Sequence, residues 1–452
     1  MTWAERAKTF FPGRSTRWWA VALLAVGILE RLALALIYGP VDWGDTPSYM
    51  RLAGVIAKGG LHGYDGTRVP GYPALLAMLG QSERAVWIAQ MAMGLAISLL
   101  LLWMTVRMTS SPGLGFAVGL SYDLAAGLVL FEFNILSETL SGFFLVAAMA
   151  IYLMIHPARR MTSLILITLA LGLVASLAGM ARTLFYFLPV WLLPFVWLAT
   201  GGDVKRRLAA VAGLCVPSVL ILGGWIGFIY IHYDMLSPST MSGYNLVQHT
   251  GRYFQYLPDQ DATIRDIYIK YRDARIAERG VQTNAIWDAI PELSQKTGLS
   301  FFALSQKMEE LSIQLILAHP TLYLHDVATG WIDFWKAPVY WTADAVHPAS
   351  LVRLFSGWAW VTRIMALLAN AAFLMLSAVA ILSGRARRWL GVDRFFWLAA
   401  GTIWLSSIVQ TLVDHGDNPR FLVPLQMLVF LVVLVSAWRA FGRSPRPAEV
   451  TR

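Results

Sequence analysis

The chain has 452 residues, 57% of them hydrophobic and 14% charged, with 19 tryptophans, one cysteine and a formal net charge of +9. Soluble domains carry roughly 25% charged residues, so an ordinary water-soluble globule is excluded, and the lone Cys215 excludes an internal disulfide. The positive charge would suit a nucleic-acid binder until its placement along the chain is examined.

A helix crossing the hydrocarbon core needs about 20 mostly apolar residues. Ten such stretches are expected, at about 18–38, 84–106, 112–131, 138–156, 162–180, 183–200, 208–231, 356–382, 393–413 and 420–438. The first is too long for the apolar core of a signal peptide and shows no small-residue cleavage site, so it is expected to stay. Arg6, Lys8, Arg14 and Arg17 precede it. Arg107, Arg159, Arg160, Lys205, Arg206, Arg207, Arg385, Arg387, Arg388 and Arg394 fill alternate connections, and Arg439, Arg443, Arg446 and Arg452 fill the tail. All of these fall on one side if both termini are cytoplasmic, whereas the opposite short connections hold little basic beyond Arg182 and Arg420. That asymmetry is the positive-inside pattern. The basic excess therefore records topology, and nucleic acid is not an expected partner.

The expected division is a membrane core over 1–231, an extracytoplasmic loop domain over 232–355, and C-terminal transmembrane helices with a cytoplasmic tail over 356–452. Two segments lie outside: a first loop at about 39–83 and the long segment 232–355. The latter mixes both signs of charge with many aromatics, the composition of a folded unit. Within it, Leu299 to Pro320 spaces Phe302, Leu304, Met308, Leu311, Ile313, Leu315 and Ile316 near helical period. That face is expected to pack on neighbouring helices or the bilayer surface.

Charged groups at the membrane's outer edge are costly and point to function. Asp42 and Asp45 follow the first span in "VDWGDTPSYMRLA", and Arg68 sits in "TRVPGYP". Glu132 and Glu138 flank "FNILSE"; Arg182 separates the fifth and sixth spans; Asp414, His415, Asp417 and Arg420 separate the last two. A network of interhelical ion pairs would give the same set. The chemistry that acids and arginines converging on one outer surface also suit is transfer of a group from a lipid phosphate. Arginine's planar fork pairs with phosphate oxygens, and a carboxylate takes the proton of an attacking hydroxyl. Asp45, placed after Gly44 and before a short helix expected over Pro47 to Lys58, is the leading base, although the same position suits a plain N-cap. Asp42 lacks the helix start and is secondary. The outer histidines, His232, His249, His319, His325 and His347, are scattered and show no metal-ligand spacing.

These residues resemble those of the GT-C superfamily of membrane glycosyltransferases. More closely, the chain is similar to the bacterial branch containing lipid A aminoarabinose transferases and protein O-mannosyltransferases. "GDTPSYMRLA" resembles the first-loop acidic motif with Asp45 and Tyr49, and "RVPGYPALLA" the second half of that loop with Arg68 and Tyr72. "LSETL" matches the acidic residue opening a core helix, Glu138; "GMARTLFYFLP" the arginine turn, Arg182; "LAHPTLYL" the end of the large loop; and "NPRFLVP" the start of a late helix, Arg420. The resemblance implies an all-α GT-C-like bundle in the bacterial inner membrane, with its site facing the periplasm or exterior. It implies an inverting enzyme that uses a polyprenyl-phosphate-linked sugar and a glycan, lipid or protein acceptor. Asp45 would be the base, Arg68 with Arg182 or Arg420 would hold the phosphate, and Asp42, Glu132 and Asp417 are secondary candidates. No cofactor is required, although a divalent cation near the acids is compatible. Two departures stand out: fewer spans than the aminoarabinose transferases, and no second acidic residue directly after Asp45. A polytopic transporter or lipid-linked glycan flippase is the alternative; it would favour ionisable groups deep within spans, for which Asp123 qualifies.

Overall fold

Several helices begin at a side-chain cap, and several end at a residue in the left-handed region. The structure, a computed structural model, describes residues 13–442. Arg6, Lys8, Arg443, Arg446 and Arg452 of the topology argument lie outside the described residues.

In chain order the helices are α1 (Arg14–Ile37), α2 (Thr46–Ala57), α3 (Gly71–Met78), α4 (Glu83–Thr109), α5 (Pro112–Asp123), α6 (Ala126–Val129) and α7 (Glu138–Tyr152). Next come α8 (Met161–Ala181), α9 (Leu188–Thr200), α10 (Val204–Ser218), α11 (Gly224–Tyr233), α12 (Ser242–Thr250), α13 (Ala262–Arg279) and α14 (Ala285–Thr297). The remainder are α15 (Phe301–Ala318), α16 (Pro320–Phe334), α17 (Val352–Leu382), α18 (Gly384–Leu390), α19 (Arg394–Val413) and α20 (Val423–Phe441). Side-chain oxygens of Ser82, Ser111, Asp203 and Asp393 accept from the first-turn backbones of α4, α5, α10 and α19, the caps that fix helix starts. Extended pairing among the described residues is limited to two isolated bridges, Tyr38–Val346 and Val41–Asn134.

Among the described residues, eight helical segments are long and apolar enough to cross a membrane: α1, α4, α8, α9 with its preceding turn, α10–α11, α17 with its preceding turn, α19, and α20 with its preceding turn. The protein is an all-α, multi-pass membrane protein. Two of the ten expected stretches take a different form. The stretch expected at 112–131 is broken, with α5 and Ala126–Glu132 meeting at 61°. The one expected at 138–156 is the 15-residue α7. The break has a visible companion: Asp123 and Glu132, on either side of it, both bond the Arg31 guanidinium of α1. A buried charge in an apolar medium has to be paired, and the bend turns Glu132 inward to meet its partner.

The bundle core gathers around α20, the most buried of these segments, which packs on α5, α7, α17 and α19. Leu29, Leu32 and Leu36 of α1 and Met365 and Leu368 of α17 stay exposed, as lipid-facing surfaces do. Residues 241–315 own a separate core in which Tyr244, Phe254, Tyr268, Ile286, Leu293, Leu304, Met308 and Leu311 are buried. In α15, Leu304, Met308, Leu311 and Leu315 face that core, while Ile313 is exposed. The apolar face expected there thus packs on neighbouring helices. That helix ends at Ala318, and Pro320 opens α16.

The two ends of the bundle differ in chemistry. Arg206 donates to the carbonyl of Arg159, Arg394 to that of Leu198, and Arg439 to that of Gly391. The basic connections therefore cluster at one end. Arg182, at the far end of α8 from Arg160, marks the other.

Candidate active site

Four segments distant in sequence bring charged side chains together at this second end. Asp45 stands at the start of α2, Arg68 just before α3, Glu138 at the start of α7, Arg182 after α8, and Arg420 in the turn preceding α20. They form one alternating chain. Asp45 Oδ1 accepts from Arg68 Nη2 at 2.5 Å, and its Oδ2 accepts from Arg420 Nη1 at 2.7 Å. Arg420 Nε donates to Glu138 Oε1, which also accepts from Arg182 Nη1 at 2.5 Å. Glu138 is fully buried, whereas the Asp45 and Arg68 side chains remain 25% and 28% exposed. The cluster thus runs from a partly accessible end at Arg68 and Asp45 to a closed end at Glu138 and Arg182.

Local sequence explains the placement. Thr46, not Asp45, secures the turn into α2: its hydroxyl accepts from Trp43 N at 2.9 Å and donates to the Ile135 carbonyl at 3.0 Å. The Asp45 side chain makes no capping bond, so its oxygens are free for the arginines. Gly71 lets α3 lie against the end of α8, where any Cβ would collide with the Met180 carbonyl; this sets Arg68 beside the α8 terminus. Arg182 sits over the Phe421 ring at 4.1 Å and Arg68 over the Tyr49 ring at 5.6 Å, contacts that favour a cation. Tyr49 shares a hydrogen bond with Ser137 at 3.2 Å and meets Tyr72 edge-on, and Tyr72 donates to Gln90 at 2.9 Å.

Burial pushes the Asp45 carboxyl up, but Arg68 and then Arg420 pull it down further, to about 2. It is fully ionised in this state. Asp417 accepts from the Tyr340 hydroxyl at 2.6 Å, and burial outweighs that bond to hold its carboxyl above the usual range. Two buried polar atoms of the cluster have no partner, Arg68 Nε and Glu138 Oε2. They offer one donor and one acceptor.

Of the residues expected at the site, Asp45, Arg68, Glu138, Arg182 and Arg420 are joined by hydrogen bonds, Tyr49 and Tyr72 line them, and Asp417 lies alongside through Tyr340. Two do not join. Asp42 is exposed and makes none of these ion pairs. Glu132 is fully buried in a separate network, where Arg31 Nε and Nη2 grip its two oxygens at 2.7 and 2.6 Å and Tyr122 donates at 3.0 Å. Asp123 is fully buried there as well and does not reach the outer surface. Arg31 escaped the sequence reading, although "GILERLAL" inside the first apolar run was a legible sign of it. Tyr340 carried no such sign. Arg363 also went unremarked. It is exposed on α17 at the mouth of a cleft that Gly127, Pro338, Leu422 and Val423 also line.

Comparison of the chain with protein-family models, with curated protein sequences and with solved structures finds no match in any of the three.

Proposed function

We propose that this protein is an integral membrane glycosyltransferase that moves a sugar from a polyprenyl-phosphate-linked donor to an acceptor hydroxyl. The observation carrying the proposal is the accessible Asp45 carboxylate held between the Arg68 and Arg420 guanidinium groups. A base and a phosphate clamp would need to sit side by side for this reaction, and here they touch. Asp45 takes the proton of the acceptor hydroxyl. The hydroxyl oxygen forms the new bond to the anomeric carbon from the face opposite the phosphate, and the carbon–oxygen bond to phosphate breaks. Its electron pair leaves on the polyprenyl phosphate, held by Arg68 and Arg420 with Arg182 behind. Stabilisation of developing charge by one such donor is typically worth about 3–4 kcal/mol. By the lysine and arginine asymmetry, the site faces the periplasm or exterior of a bacterial inner membrane and both termini are cytoplasmic.

The test is direct. Purified protein incubated with a panel of polyprenyl-phosphate sugars should release polyprenyl phosphate, and an Asp45→Asn protein should not. Failure of every donor, with or without candidate acceptors, would overturn the reading. A transporter or flippase is the second reading, and the buried Arg31–Asp123–Glu132 network favours it. That reading requires movement of labelled lipid-linked sugar across vesicles and dependence on Arg31 with indifference to Asp45.

A further inference from the structure

A second constellation lies where the outer helical unit meets the turn between α19 and α20. His249 of α12, Asp326 of α16 and His415 of that turn are all buried, and one ligand-capable atom of each lies within 4.8 Å of the others. Neither His249 ring nitrogen has a hydrogen-bond partner of good geometry, although the Thr411 backbone approaches one of them. His415 Nδ1 and Asp326 Oδ2 are unpartnered too. Isolated orphan polar atoms occur in folded proteins, but buried groups are overwhelmingly satisfied. Three residues leaving their orphans within one small space is a different matter.

We propose that His249, Asp326 and His415 bind a Zn²⁺ ion that fastens the outer helical unit to the turn carrying Asp417 and Arg420. Two imidazole nitrogens and one carboxylate oxygen, with a fourth position left for water, are a donor set suited to zinc. Imidazole disfavours Mg²⁺ and Ca²⁺, which take oxygen ligands. Bonds of about 2.0–2.1 Å place tetrahedral ligands about 3.4 Å apart, so modest side-chain rotations close the present spacing. The surroundings fit a metal's outer shell. Asp326 Oδ1 is held by Arg252 Nη1 at 2.9 Å, which leaves Oδ2 free. Asp333 Oδ2 stands 3.9 Å from His415 Nε2, the carboxylate that orients a ligating histidine. Gly330 lets α16 approach this turn, since a Cβ there would come within 2.7 Å of Asn418 Nδ2, which donates to the Gly330 carbonyl at 3.2 Å. The three residues are scattered along the chain and only the fold assembles them.

The proposal is independent of the transferase reading, because its readouts are metal content and stability. Full-length protein in detergent, stripped with chelator, reloaded with Zn²⁺ and dialysed, should retain stoichiometric zinc and melt several degrees higher than the stripped form. Loading with Co²⁺ should give the visible ligand-field bands of a tetrahedral nitrogen and oxygen site. His249→Gln, His415→Gln or Asp326→Asn should each weaken zinc affinity by more than the about 10–100-fold that follows loss of an outer-shell partner. Wild-type protein that keeps no zinc and gives no cobalt bands overturns the site, as do variants that keep zinc as well as wild type. If the variants fail to fold, the wild-type cobalt spectrum and zinc content decide alone.

Discussion

Asp45→Asn separates a base from a structural ion. The carboxyl falls from 3.8 to about 2 on folding, which corresponds to about 2 kcal/mol of stability at neutral pH, at 1.36 kcal/mol per tenfold change in acidity. The sign follows from the lowered value: this stability is present above pH about 4 and is lost as pH falls through the folded value near 2. Asparagine keeps the size but cannot neutralise two guanidinium groups, so the variant should be less stable by about that amount. This differs from the expectation of a helix cap, under which asparagine serves as well as aspartate; no capping bond exists here to be preserved. The loss of a general base should lower turnover by about 10²–10⁴-fold. Turnover per folded molecule and melting temperature, measured on the same preparations with an active donor, resolve the two effects. Asp45→Glu, which retains charge, should recover most of the stability. A variant Asp45→Asn that melts lower yet turns over within a few-fold of wild type per folded molecule would refute the base assignment and leave an ion-pair role.

Arg68→Lys replaces a planar fork with a point charge and should weaken donor binding about tenfold, or about 1.4 kcal/mol, with acceptor binding little changed; equal weakening of both would remove Arg68 from the phosphate. Arg31→Ala leaves Glu132 and Asp123 buried without their cation and should cost about 3–5 kcal/mol, read as lost folded yield, with activity per folded molecule retained. Asp42→Asn should leave both turnover and melting temperature near wild type, and a large loss of turnover would return Asp42 to the site. For topology, single cysteines at Gln295 and Arg385, both exposed, in a Cys215→Ser background should label oppositely with an impermeant maleimide in intact cells. Labelling of Arg385→Cys from outside would invert the orientation.

The spans were legible because a long apolar run has few fates in a chain this poor in charge, and eight long segments answer to that signal. The bent third stretch was not legible, because its cause is Arg31 on another helix. A window of hydropathy treats Asp123 and Glu132 as blemishes, whereas the fold treats them as ligands for one guanidinium. Convergence of Asp45, Arg68, Glu138, Arg182 and Arg420 could be anticipated from charges recurring on one side of the membrane. Their pairing order could not, since it depends on how α3 docks on α8 and where α7 starts. Glu132 and Glu138 read alike in sequence, six residues apart and both acidic. Backbone direction alone sends one to Arg31 and the other to Arg182 and Arg420. The histidines were read as scattered because nothing in their spacing foretells that α12, α16 and a late turn meet.

The pairing of Asp45 with both arginines has a consequence for how the proposed reaction would proceed. A carboxyl held near 2 is a weak base, and general-base catalysis is most effective near the operating pH. A donor phosphate that draws Arg68 and Arg420 toward itself removes the groups that hold Asp45 down, so donor binding raises the basicity of the residue that must act next. As the hydroxyl proton passed to Asp45, that carboxyl would become neutral and release its hold on both guanidinium groups. At the same moment the phosphodiester becomes a monoester and gains negative charge. In the proposed reaction the same two cations would thus change partner as charge migrates, and their attraction would be stronger in the transition state than in the ground state, the condition for raising rate rather than affinity alone. The acid limb of kcat, which reports the bound complex, should then lie at higher pH than the acid limb of kcat/KM, which reports the free enzyme. Coincident limbs, with Asp45 still required, would show that the arginines stay with the carboxylate throughout and that the phosphate is held elsewhere.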